Sequence, residues 1–597
     1  MKKQFFLLAI ATLFCTSLTA APYFVCVNGT EYYVASATGA TDFQGRVQYM
    51  ASCLALSTGD KLTCYDAATG SNWHIAAIDP YGAYNDFANT GSAFMCKVSG
   101  NYDVYIKMAY NDDMWYIAEG ENGCVPAEPA DPSKPVYYTS VPEQCPDVML
   151  QAFYWDSYQD KGYGRTKWID LKPQAEEFGQ WFDLVWLPPS AYATGGTGYL
   201  PIRYDRQDSD WGTTPNLRAV IGTLHANGAR VLADVVVNHS AGSSGWCKMS
   251  AENFGKFGSF TPDMSWICST DEAFTEQHCT DTPGAPDDGY GPEANYDSGR
   301  DWDHTNPNVR AMFKAYAQWL IQFGYDGFRY DYCKGFHNSH INEYNTAAQA
   351  YFSVMEYWDG DVNVLQSHIA DAGMNTLTFD FATKYTAFNN GIAGDNYAGC
   401  KGAGLLGAGK SRYAVTFLDS HDSFQRDNNE FMGHNNSMNY PDKIMQCNAF
   451  LLSMPGVPCI FYPHWVTFKD DLKKLINARY KAGVHSESAV DDEAGSGYYK
   501  ATITGTNGSI RLLLGPNSGY NNTPSGYTLA AKGTNWGVYY QTTSPRGDKC
   551  DNRTPVSHTD VEIVKEEKSD CQKVILNGHI FLIKNGQWFN ALGQRVK

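Results

Sequence analysis

The chain has 597 residues, a formal charge of −19, and 43 % hydrophobic and 14 % aromatic residues. That length exceeds one ordinary core, so about two to four domains are expected. The acid excess argues against nucleic acid or anionic membrane as partners and suits a neutral polymer.

The first 21 residues pattern as a signal peptide: Lys2 and Lys3, an apolar run from Phe5 to Phe14, then small residues ending at Ala20 and Ala21. The run is too short to span a bilayer and nothing later is long enough, so no transmembrane segment is expected. A secreted protein follows, extracellular or cell-surface, with the periplasm as the alternative. Bulky Leu13 and Phe14 before Cys15 disfavour a lipoprotein. With Cys15 removed, the 16 cysteines leave an odd number, so at least one thiol stays unpaired within the chain. No repeated C-x-x-C suggests zinc. Cys550 and Cys571 are one candidate pair, with connectivity open.

Residues 22–124 alternate in short stretches broken by Gly, Asn and Asp, the pattern of an N-terminal β-sandwich. Its Trp73, Tyr81, Tyr84 and Trp115 suit either a sugar-stacking platform or core packing. A Pro-rich linker follows at 125–135. From 136 to 487 the rhythm becomes strand then helix, with buried-type runs at 148–154, 184–187, 231–237, 327–331, 352–356, 377–379, 415–418 and 459–462. The clearest helix spans 307–323, with Asn306 as N-cap and Pro307 at its first position. Such units predict an α/β fold, a (β/α)₈ barrel with an insertion at 240–300 after its third strand. A doubly wound sheet is the alternative, but no Gly-rich phosphate loop follows a first strand. Residues 488–545 return to short strands, a C-terminal β-domain read as a small sandwich. The tail, 546–597, begins polar and ends in two or three strand-like runs.

Four segments place polar groups at the C-terminal ends of predicted barrel strands, where barrel active sites are built. They are Asp234-Val-Val-Val-Asn-His239, Gly327-Phe-Arg-Tyr-Asp-Tyr-Cys-Lys334, Val354-Met-Glu-Tyr-Trp358 and Phe417-Leu-Asp-Ser-His-Asp422. One such acid is ordinarily a helix cap; four on different strands are not. Paired carboxylates, one ionised and one protonated, are the equipment of a retaining glycosidase, in which they stand about 5–5.5 Å apart. Arg329 and Asp331 project the same way on one strand, so the guanidinium can keep Asp331 anionic.

These segments resemble the four signature regions of the α-amylase family, glycoside hydrolase family 13, in the family's order. Val148-Met-Leu-Gln-Ala-Phe-Tyr-Trp155, Gly198-Tyr-Leu-Pro201 and Asp301-Trp-Asp-His304 are similar to its plant-type and related bacterial members. The resemblance implies retaining hydrolysis of internal α-1,4-glucosidic bonds in starch, maltodextrins or glycogen. It implies Asp331 as nucleophile, Glu356 as acid/base and Asp422 as the carboxylate that binds sugar hydroxyls and favours a distorted ring. Arg329 would orient Asp331, His239 and His421 would hydrogen-bond the sugar, Tyr199 would stack on it, and Lys334 would reach the leaving-group side. Calcium (Ca²⁺) is implied at Asn238, Asp301 and the Gly335 carbonyl, oxygen ligands suited to a hard cation. Asp287 and Asp288 are either further calcium ligands or, the favoured reading, solvated loop acids, and His337 and His340 read as surface or supporting residues.

Three departures stand out. Met355 replaces a small residue before Glu356, Ser420 replaces the usual Asn, and Cys333 is either an oxidisable thiol or a small hydrophobe. Other α-glucan-active members, maltodextrin or pullulan hydrolases and transglycosylases, form the competing enzymatic reading. A catalytically dead glycan-binding protein would have lost a catalytic carboxylate, and all three are present. The last segment, Lys573 to Gly586, looks like tails that direct export or surface attachment in some Gram-negative bacteria; a small stabilising β-unit is the other reading.

Overall fold

The computed structural model describes residues 23–41, 47–66, 71–73, 77–78, 86–90, 92–107, 114–119, 140–297, 299–424, 437–556 and three strands within 571–590. The signal peptide, the Pro-rich linker, Tyr81 and Tyr84 lie outside the described residues, as do the side chains of Trp73 and Trp115.

Ten strands between Tyr23 and Glu119 make one hydrogen-bonded sheet. Its long strand Glu31–Thr41 pairs with Tyr23–Val27 along its first half and with Val47–Leu56 along its second. Val25, Leu62 and Phe94 share one core with Leu54, Val104 and Ile106. The N-terminal unit is thus a β-domain with its own interior.

The next eight strands close a parallel barrel: β1 (Met149–Gln151), β2 (Leu184–Trp186), β3 (Arg230–Val235), β4 (Gly327–Tyr330), β5 (Phe352–Met355), β6 (Leu377–Phe379), β7 (Ala414–Phe417) and β8 (Val457–Phe461). Closure is made where Met149 pairs with Cys459. Each strand falls within or beside a predicted apolar run, because strands covered on both faces need continuous rather than alternating hydrophobicity. Helices that pack outside include α1 (Trp168–Trp181), α2 (Thr214–Ala226), α3 (Pro307–Phe323), α4 (Ser339–Ala348), α5 (Val362–Asp371), α6 (Pro441–Ser453) and α7 (Tyr462–Ala482). In α3 the Asn306 side chain accepts from the Asn308 amide, Pro307 opens the helix, and Gly324 ends it at φ 128°. Val309, Met312, Phe313, Tyr316, Leu320 and Phe323 are buried along its inner face.

The insertion after β3 has little regular structure of its own. A Cys247–Cys279 disulfide and the buried Arg300–Asp271 ion pair (3.0 Å) hold it, and it returns to the barrel where His239–Ser240 pairs with Arg300–Asp301. Cys145, Cys268, Cys333 and Cys550 are among the described cysteines that are free thiols.

Residues 489–542 form one five-stranded antiparallel sheet rather than a two-sheet sandwich. Its inward residues, including Tyr499, Ile503, Leu512 and Val538, join the barrel's own core instead of a second sheet, with Phe450 of α6 5.6 Å from Tyr499. After the sheet the chain crosses beneath the barrel as a strap. Lys549 and Arg553 both pair with Asp183, at 2.6 and 2.5 Å, immediately before β2. Arg553 also donates to the carbonyls of Gly179, Phe182 and Gly228. Burial opposes ionisation of Asp183, yet the two cations hold its carboxyl down to about 2. Residues 560–597 are a separate unit, in which Cys571–Leu576, His579–Lys584 and Gln587–Asn590 pair in antiparallel order. No helix among the described residues is long and apolar enough to cross a membrane.

Candidate active site

Parallel strands deliver their following residues to one mouth of the barrel. Asp234 and Arg329 lie on β3 and β4; Asp331 and Glu356 follow β4 and β5; His421 and Asp422 follow β7. Side chains two apart on a strand share a face, so Arg329 and Asp331 converge. The Arg329 guanidinium is 1 % exposed and is shared among three acids. Its Nη1 donates to Asp331 Oδ1 at 2.7 Å and to Asp234 Oδ1 at 2.8 Å, while Nη2 lies 2.9 Å from Glu356 Oε1.

One cation among three closely placed carboxylates cannot keep all of them ionised. Burial raises the Glu356 carboxyl, and the negative neighbours Asp331 and Asp422 add to it, taking it to about 8 against the pull of Arg329. Burial likewise lifts Asp234 to about 7. A proton donor therefore sits beside Asp331, whose own carboxylate is bonded to the guanidinium. The second Glu356 oxygen accepts from the Tyr332 amide at 3.1 Å.

Gln151, at the end of β1, donates from Nε2 to His421 Nδ1 at 3.0 Å. The other ring nitrogen, Nε2, lies 3.1 Å from Asp422 Oδ2. Trp155, Tyr199 and His421 are nearly parallel, with Tyr199 5.1 Å from His421 and 6.0 Å from Trp155. The Tyr199 hydroxyl donates to Asp234 Oδ2 at 2.8 Å, which fixes the ring. Asp331, Glu356, Asp422 and these rings line a cleft of about 420 Å³, together with Tyr296, Tyr332, Lys334, Glu293 and Trp358. Flat apolar faces beside clustered carboxylates match a pyranose, which offers C–H faces and a rim of hydroxyls.

Residues 176–388 match the family model of the α-amylase catalytic domain. The chain is 28 % identical over 445 residues to a probable α-amylase 2 of Arabidopsis thaliana, covering 68 % of this chain and all of that one. It is 34 % identical over 132 residues to an α-amylase type B isozyme of Hordeum vulgare, covering 21 % of this chain and 78 % of that protein. The chain belongs to the α-amylase family. A crystal structure of an Anoxybacillus α-amylase shares the fold at a TM-score of 0.51 and 15 % identity, over 68 % of this chain and all of that one.

Against the expectations drawn from the α-amylase resemblance, the structure brings Asp331, Glu356, Asp422, Tyr199, His421 and Lys334 to one cleft. One residue is placed differently. His239 is fully buried rather than open to sugar: its Nε2 bonds the Tyr199 carbonyl at 2.9 Å and its ring stacks on Tyr296 at 3.7 Å, so Tyr296 takes the cleft-facing place. Arg329 lies beneath the acids, bonded to Asp331 and Glu356, where the resemblance has it orient Asp331. Asp288 is no solvated loop acid, since its oxygens bind His340 Nε2 at 2.9 Å and the His337 amide at 3.1 Å. His340 is correspondingly buried, not superficial.

The three departures are absorbed without loss of a carboxylate. Met355 is fully buried in the barrel core. Ser420 Oγ accepts from the Asp422 amide at 3.2 Å, holding the turn. Cys333 is buried, and burial pushes its thiol well above the usual range, which suppresses the thiolate that oxidation requires. Asp234, Gln151, Trp155, Tyr296 and Tyr332 had no assigned role in the sequence, although Asp234 opens one of the four segments.

The residues expected around calcium are also neighbours. Asn238 Nδ2 reaches Asp301 Oδ1 at 3.3 Å, while Asn238 Oδ1 is buried without a partner. A Cβ at Gly335 would fall 1.9 Å from that oxygen, so only glycine allows its backbone there. Burial drives the Asp301 carboxyl to about 9, with Asp271, Asp287 and Glu272 contributing. An orphaned amide oxygen on a residue bonded to a carboxyl that has no cation partner among the described residues fits a hard ion. No three His, Cys, Asp or Glu side chains among the described residues gather as metal ligands, so amide and carbonyl oxygens must complete such a site.

Proposed function

We propose that the chain hydrolyses internal α-1,4-glucosidic bonds of starch and related α-glucans with retention of configuration. The observation that carries this is Arg329 bonded to Asp331 and Glu356 at once, beneath a cleft walled by stacked aromatic rings. Asp331 attacks the anomeric carbon as Glu356 passes its proton to the departing glycosidic oxygen; the old C–O bond breaks and a glycosyl ester forms on Asp331. Glu356, now anionic, removes a proton from water, whose oxygen attacks the same carbon and frees Asp331. Asp422, with His421 beside it, binds sugar hydroxyls and favours the flattened ring. Incubation with soluble starch should release reducing ends with rapid shortening of the chains, and the first product anomer should be α. A β anomer at first turnover would reject the double displacement. No release despite starch binding would reject hydrolysis altogether.

Calcium held by Asn238, Asp301 and Gly335 would tie the loops after β3 and β4 to the insertion. Its part is to fix those loops, with no step of the reaction assigned to it. At a concentration 100-fold above Kd, binding adds ~2.7 kcal/mol of stability. Added Ca²⁺ should therefore raise Tm by several degrees and a chelator should reverse it, whereas Asp301→Asn should show neither response. Equal Tm values in Ca²⁺ and chelator for the wild type would remove the ion from the account. Export is supported by the pattern of residues 1–21 and by the Cys247–Cys279 bridge, which needs an oxidising compartment. Surface attachment through 571–590 is the reading proposed for the tail.

A further inference from the structure

The geometry points to Tyr332 and Glu293 as the groups that set recognition of the leaving-group portion of the glucan, by clasping the insertion against the acid Glu356. This rests on the retaining reading above, in which the sugar that departs lies on the side of Glu356.

Tyr332 follows the nucleophile directly and has φ 46°, the left-handed region that a bulky residue enters only when its surroundings compel it. Three contacts compel it. Its amide points at Glu356 Oε2, its hydroxyl donates to the Glu293 carbonyl at 2.8 Å, and its ring meets Tyr296 edge-on at 5.2 Å. Tyr296 in turn stacks on His239 at the barrel mouth. One residue thus joins the general acid to the insertion. Glu293 also reaches the Lys334 ammonium with its carboxylate. That carboxylate is 61 % exposed, so the ion pair holds little by itself. The hydroxyl-to-carbonyl bond and the ring contact do the holding, and the ion pair places the ammonium. Tyr332, Lys334, Glu293 and Trp358 all line the cleft with Glu356, giving a neutral sugar one aromatic face and one cationic donor. Tyr332 is a positioning residue for Glu356 through its amide and a specificity residue through its ring.

Tyr332→Phe deletes the hydroxyl and keeps the ring. Two substrates separate the roles: maltoheptaose, whose leaving group is a sugar needing both a proton and a binding surface, and 2-chloro-4-nitrophenyl α-maltotrioside, whose phenolate leaves unaided. The variant should lose about fivefold more kcat/KM on maltoheptaose than on the aryl substrate, the loss of one hydrogen bond. The alkaline limb on maltoheptaose should move upward, because the amide bond that favours ionised Glu356 is loosened. Glu293→Gln keeps the carbonyl and should change the substrate ratio less. A merely structural tyrosine would depress both substrates alike; an unchanged ratio, or a larger effect from Glu293→Gln, overturns the assignment. Wild type inactive on both substrates would instead defeat the hydrolytic reading itself.

Discussion

Asp331→Asn is expected to lower kcat on soluble starch by about four orders of magnitude or more, because the amide cannot form the glycosyl ester. Its size and its place above Arg329 are nearly those of the acid, so Tm should change little. The sharper test is Asp331→Gly with α-maltosyl fluoride and azide. Azide occupies the vacated face and attacks the anomeric carbon as fluoride leaves, so the product should be β-maltosyl azide. Formation of the α azide, or full starch activity in Asp331→Asn, would move the nucleophile elsewhere.

The second large effect belongs to Glu356. Replacement by Gln should cost about 10²–10⁴ on starch, where the leaving oxygen needs a proton. Far less should be lost on α-maltosyl fluoride, whose departing ion needs almost none. The pH dependence follows in sign. A carboxyl raised to about 8 by burial is protonated at neutral pH and loses its proton above that value, so kcat/KM should fall on the alkaline side with a midpoint near 8. An alkaline limb that survives unchanged in Glu356→Gln would assign that titration to another group. Asp234, also raised by burial and sharing the same guanidinium, is the first alternative.

Much of this site could be read before any coordinates. Each barrel strand is a short apolar run, and four of them close on acids or histidines; Asp331, Glu356 and Asp422 are found that way. What could not be read are contacts between distant segments. The Tyr332–Glu293 bond spans 39 residues and the Asp288–His340 pair 52, and neither end carries a local signal of its partner. The left-handed Tyr332 is invisible because nothing in its type asks for that backbone. His239 shows the same limit: its motif fixes its position on the barrel but not the Tyr296 ring stacked on it. The C-terminal strands show by alternation that one face is buried, but alternation does not say whether helices or another sheet cover it. Here α6 supplies part of the cover. Lys549 and Arg553 look like solvated charges in a polar stretch until Asp183, 366 and 370 residues away, is seen to receive them.

That pairing has a mechanical meaning. If the protein were anchored by its C-terminal end and pulled by a substrate or by flow, tension would meet the Val556 amide on the His225 carbonyl and then Arg553 and Lys549. From there it would pass to Asp183 and the carbonyls of Gly179, Phe182 and Gly228, all before β2 and β3 begin. Asp331, Glu356 and Asp422 stand at the opposite ends of their strands, so a tethered molecule would take the strain at its floor while its mouth kept its geometry.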